Sequence, residues 1–118
     1  MSSHDMLKRL LLAALLGSLP LTAACAQSPG ICPAKPGDMV RSLDVFDGKP
    51  EDGAYLVPDQ GPKGVDTFLL GNAYNEGRTA TIRCKYASGA ATDVELKNKV
   101  ERCEASRKKS GEVTIRCR

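Results

Sequence analysis

Cysteines, a single histidine and a crowd of carboxylates are the residues of this 118-residue chain whose types could carry chemistry. The histidine is His4, inside an N-terminal stretch that reads as a leader, so the mature chain has none. That removes the commonest general base near neutral pH and the commonest metal ligand. A Ser-His-Asp or Cys-His arrangement is thereby excluded, as is a zinc site built on histidine. Asp44, Asp47, Glu51 and Asp52 crowd the segment DVFDGKPED. Two carboxylates across a cleft suffice for glycoside hydrolysis, but 92 mature residues are few for a sugar-binding cleft. The spacing also lacks the alternation of a calcium loop. The segment reads instead as a solvated acidic loop that could face a partner. Phe46, Asp47, Glu51, Asp52 and Tyr55 are its candidate contact residues. No catalytic residue, cofactor or metal site is expected, and the chain reads as a binding protein rather than an enzyme.

The leader covers residues 1–26. Lys8 and Arg9 precede the apolar run Leu10–Leu16, Gly17 and Pro20 break its end, and Ala24-Cys25-Ala26 offers a small-x-small cleavage pattern. The run is too short and broken for a transmembrane span. Cys25 raises lipidation, but Thr22 stands where a lipoprotein signal wants an aliphatic residue. A cleaved signal, a periplasmic location and a single domain over residues 27–118 are therefore expected.

Such a compartment permits disulfides. Cys32, Cys84, Cys103 and Cys117 remain, an even count that admits three pairings. The strand pattern favours one of them. Around Lys109-Ser110-Gly111, pairing Lys108 with Glu112 sets Cys103 opposite Cys117 and Ala105 opposite Ile115. The same register leaves Arg102, Glu104, Thr114 and Arg116 on the other face. Cys32–Cys84 is what remains, tying the Pro/Gly-rich arm 27–37 to the middle of the chain. A chain this small needs such staples.

The other elements follow from alternation and turn residues. A strand is predicted over Asp38–Phe46, ending at Asp47-Gly48, with Val40, Leu43 and Val45 as its apolar positions. Residues 49–63 read as loop with a short edge strand at 54–57 and a possible single helical turn near Pro50–Tyr55. Val65–Leu70 is a strand candidate, and 71–77 reads as a polar turn. Thr79–Tyr86 alternates strongly. With Ala87 paired to Ala91, Cys84 would face Val94 and Ile82 would face Leu96. No sustained helical period is present. The fold class expected is all-β: a small antiparallel sandwich or open barrel of six or seven strands stapled by two disulfides, with α+β as runner-up.

Charge divides along the chain. Residues 27–76 carry four basic and eight acidic side chains, and residues 77–118 carry eleven basic and five acidic. Nucleic acid is a poor fit, because export, the small net charge and the absence of aromatics among the basic residues all count against it. A protein or an acidic envelope polymer fits better. The candidate surfaces are the acidic loop and the basic tip Arg107-Lys108-Lys109.

One resemblance covers most of the mature chain. Its residues are Cys32-Pro33, Val45-Phe46-Asp47-Gly48-Lys49-Pro50-Glu51-Asp52, Leu56-Val57-Pro58-Asp59, Cys84-Lys85-Tyr86, Arg102-Cys103 and the terminal Cys117. These resemble a family of small exported proteobacterial proteins of largely unassigned function. Some of its members lie beside type VI secretion effectors that attack peptidoglycan, including effectors related to L,D-transpeptidases. The resemblance implies a periplasmic immunity protein. Members often carry Trp before the central Cys-x-Tyr strand; this chain has Phe68 and no tryptophan. A looser likeness to periplasmic lysozyme inhibitors rests on Cys84-Lys85-Tyr86 and Ser88-Gly89 and spans about a third of the chain. The function expected is immunity or inhibition by occluding a cell-wall-active enzyme. The alternative is a non-enzymatic envelope structural or polymer-binding protein.

Overall fold

The computed structural model describes residues 30–118; the leader, with its cleavage and lipidation readings, lies outside them. Two antiparallel sheets face each other across one apolar core. Among the described residues the strands are β1 (Val40–Asp47), β2 (Asp59–Gln60), β3 (Asp66–Leu69), β4 (Ala80–Tyr86), β5 (Ala91–Leu96), β6 (Arg102–Arg107) and β7 (Val113–Cys117). One sheet runs β1-β4-β5 and the other β2-β3-β6-β7. This is the sandwich among the expected arrangements, and the sheets do not close into a barrel.

The alternation of β4 dictates the core. Ala80, Ile82, Cys84 and Tyr86 point inward and are buried, as is Val45 on β1. Phe68, Cys103, Ala105 and Ile115 supply the facing layer from the second sheet. Burying apolar side chains on both inner faces is what holds two sheets together.

The apolar positions of β1 break a strict period of two, since Val40 and Leu43 are three apart. A bulge at Arg41 absorbs the extra residue: Val40 pairs with Tyr86 and Ser42 with Lys85. The strand thereby keeps Val40, Leu43 and Val45 all on the core side.

Both disulfides join the expected partners, Cys32–Cys84 and Cys103–Cys117. Cys103 pairs with Cys117 and Ala105 with Ile115 in the β6–β7 hairpin, as the polarity pattern required. The β4–β5 hairpin has the expected faces but a different register. Ile82 pairs with Val94 and Cys84 with Thr92, two residues from the expected partners. The three-residue loop is Ala87–Gly89, one residue earlier than expected: the Tyr86 N–H donates to the Ala90 carbonyl, and Gly89 takes φ +94°. Three-residue hairpin loops need a residue at positive φ near their end, and glycine supplies it without steric cost. A shift of two residues preserves the faces, which is why polarity alone did not separate the registers.

The segment 71–77, expected as a turn, opens with a five-residue helix, α1 (Gly71–Asn75). Ala73 within it and Leu70 just before it are buried. The Tyr74 hydroxyl donates to the Leu96 carbonyl at 2.6 Å and lies 3.3 Å from the Ala80 amide, which donates to it. Residues 54–57 form a bridge rather than a full strand. Phe46 pairs with Tyr55, the Asp47 amide donates to the Ala54 carbonyl, and the Leu56 amide donates to the Val45 carbonyl. This bridge covers the β1 edge of the first sheet.

Candidate partner-binding face

The outward face of the β1-β4-β5 sheet carries Phe46, with Tyr55 across the bridge and the turn bearing Glu51 and Asp52 at its border; Asp47, paired with inward-facing Ala80, falls on the other phase at the end of β1. Because Val45 and Ile82 point into the core, Phe46, Thr81 and Arg83 must point out. Register then fixes the rows. One runs Tyr55, Phe46, Thr81, Glu95; the next runs Asp44, Arg83, Asp93.

Of the five residues predicted from sequence, Tyr55 is 67% exposed, and Val57 beside it is 82% exposed. Phe46 is only 6% exposed although it faces outward. The Arg83 guanidinium lies 5.1 Å from its ring centroid, a favourable placement of a cation over an aromatic face. Phe46 thus underlies the surface, and Tyr55 and Val57 present it.

Asp47 is held in place. Arg78 donates from Nε to Oδ1 at 2.7 Å and from a terminal nitrogen to Oδ2 at 3.1 Å. Its other terminal nitrogen reaches Glu76 at 2.6 Å. These two carboxylates push the Arg78 pKa above its ordinary value, so its positive charge is fixed across any working pH. Glu51 and Asp52 ride on a single 3-10 turn, Pro50–Asp52. Pro50 suits its first position because proline has no N–H to leave unbonded there. Gly53 closes the turn at φ +74°, donating to the Pro50 carbonyl. Both acidic side chains are exposed.

Between this turn and the β4–β5 ribbon lies an open cleft of about 300 Å³, lined by Lys49, Glu51, Thr81, Asp93 and Glu95 among others. Thr81 is buried at its base and donates to the Gly48 carbonyl at 3.0 Å. Arg83 grips Asp93 through two hydrogen bonds of 2.8 and 3.0 Å. The Arg83 hydrogen bond holds the Asp93 carboxyl below the ordinary value of 3.8. Glu95 accepts a hydrogen bond from Thr79 at 3.1 Å, and among the described residues neither Glu51 nor Glu95 joins an ion pair. Sequence reasoning missed Asp93 and Glu95. The β4–β5 register carries them here, and it was the one register read two residues off.

The linear charge division does not survive folding as two opposed faces. The acidic and basic halves meet across β1 and β4, where Lys85 lies 3.0 Å from Asp44 and Arg78 clasps Asp47. At the basic tip, Arg107 donates to the Gly111 carbonyl at 3.0 Å and Lys108 stands 3.5 Å from Glu112. Among the described residues no group of three His, Cys, Asp or Glu side chains is placed to hold a metal ion. The four cysteines among the described residues are occupied as disulfides. The arrangement is suited to recognition: fixed charges, an exposed aromatic and a shallow open cleft on a stapled sheet.

No curated protein and no solved structure matches the chain. One family model does, described as the type VI secretion system Tli immunity protein, and it matches residues 35–118. That span takes in every strand of both sheets and the whole acidic face. The chain therefore belongs to the Tli immunity protein family of the type VI secretion system.

Proposed function

We propose that this protein binds a type VI effector enzyme in the periplasm and blocks it by covering its cleft with the outward face of the first sheet. The family match over residues 35–118 carries this reading. The disulfides fit an oxidising compartment and therefore an exported chain. Tyr55 and Val57 would seat against apolar surface of the effector, the contact that costs most to lose. Asp47, Glu51 and Asp52 would steer a basic rim into place, affecting encounter rate more than residence time. Phe46 would act from below by keeping the bridge flat against β1. The resemblance described above points to a cell-wall-active effector as the target.

The test uses the mature protein in oxidised form and the effector encoded beside it. Stoichiometric binding that abolishes the effector's activity is the expected result. Running the assay on both peptidoglycan and phospholipid substrates identifies what the effector attacks. Charge reversal at Glu51 and Asp52 together should slow association about tenfold while leaving dissociation nearly unchanged. Salt-labile binding to an anionic polymer, with no effect on the enzyme, would overturn the reading in favour of an envelope-binding role.

A further inference from the structure

β5 is an unpaired edge of its sheet among the described residues. In an antiparallel ladder, residues alternate between bonding the neighbour and pointing their backbone groups away from it. The Tyr86 amide donates to the Ala90 carbonyl, which fixes the phase. Residues 92, 94 and 96 then bond β4, and the N–H and C=O of Ala91, Asp93 and Glu95 point outward. No turn or loop contact takes these groups up. The opposite edge of the sheet is different, since the Tyr55 bridge covers β1. Natural edges are usually blunted by charged side chains, lysine above all, by proline or by a bulge. β5 (ATDVEL) has no proline, lysine or bulge, and its only charges are the acidic Asp93 and Glu95, which guard against another acidic strand and not against a basic one.

We propose that β5 is a docking edge on which an extended segment of the effector adds as a fourth strand, with basic side chains meeting Glu95 and Glu51, the two cleft carboxylates that join no ion pair among the described residues, while Asp93 stays clasped by Arg83. This rests on the immunity reading. The occupant follows from charge. Two copies of β5 paired antiparallel would bring the unpaired Glu95 of each copy beside the acidic strand of the other, with no basic side chain on β5 to answer it, so self-association is disfavoured. A strand carrying lysine or arginine meets the opposite situation. Its side chains on the outward face would lie beside the cleft bordered by Glu51, whose carboxylate has no ion-pair partner among the described residues. Main-chain hydrogen bonds along the edge would supply affinity, and the two carboxylates would supply register.

Hydrogen exchange on the intact oxidised protein, alone and with its neighbouring effector, tests this directly. The Asp93 and Glu95 amides should exchange freely in the free protein and become protected in the complex. Asp93→Pro removes one outward N–H without touching the ladder to β4, so it should weaken effector binding about thirtyfold while the fold persists. Asp93→Asn keeps the N–H and should lose less. Effector binding by the wild type with unprotected β5 amides, or wild-type affinity in a folded Asp93→Pro, overturns the edge and leaves the immunity reading standing. A wild-type protein that does not bind the effector overturns both. A dimer of the free protein with protected β5 amides would mean the occupant is a second copy, and would also overturn the proposal.

Discussion

Tyr55 and Phe46 stand opposite one another at the β1 bridge, yet substitution of each should read out differently. Tyr55 is largely exposed, so Tyr55→Ala should leave the thermal midpoint almost unchanged and weaken effector binding by one to two orders of magnitude. Phe46→Ala should instead cost about 3–5 kcal/mol of stability, because a large ring is deleted from a buried site. Denaturant titration of both variants beside their effector affinities separates the roles. An equal loss of stability in both would show that Tyr55 is structural. Arg78 has a third signature. Its clasp on Asp47 and Glu76 spans the start of the acidic turn and the end of α1. Arg78→Met should free Asp47 and quicken exchange of the Gly48 amide, which donates to the Thr79 carbonyl.

At the scale of elements, the two hairpins show what a sequence can and cannot reveal. Cys103 and Cys117 stand directly opposite one another only when Lys108 meets Glu112, so one register satisfied both polarity and the staple. The β4–β5 hairpin had no such second constraint. Polarity repeats every two residues, so pairing Cys84 with Val94 or with Thr92 looked alike, and loop geometry at Gly89 decided it. Asp47, Glu51, Asp52 and Tyr55 could be grouped as a candidate surface from sequence because they are close along the chain. Asp93 and Glu95 could not, because they reach the cleft beside Glu51 only through the β4–β5 register. α1 escaped notice because five residues are too few to show a helical period. The staples should also differ in worth. Replacing Cys103 and Cys117 by serine should cost about 3 kcal/mol, and replacing Cys32 and Cys84 about 4, since the second closes the longer loop. Denaturant midpoints at equal slopes would show the ordering.

For the whole molecule, two carboxylates set an acid response. Hydrogen bonds from Ser88 hold Asp38 below 3.8, and those from Arg83 do the same for Asp93. A carboxylate with a folded pKa below its unfolded one stabilises the fold above the unfolded value. It loses that contribution as the pH falls through the folded value. The thermal midpoint should therefore decline as the pH drops below 3.8, and Asp38→Asn with Asp93→Asn should flatten part of that decline. A double variant with the wild-type acid profile would remove these two groups from the account.

The positions of the disulfides have a consequence for proteolysis. Between Cys32 and Cys117, one nick anywhere in residues 33–83 leaves the pieces joined through Cys84, and one nick in residues 104–116 leaves them joined through Cys103. Only a cut in the stretch from Lys85 to Arg102 severs the chain in two. That stretch contains β5 and the connection to β6. A protease thus has a single window between Cys32 and Cys117 in which one cleavage separates the chain into two unlinked pieces, and a strand seated on β5 would shield the middle of it.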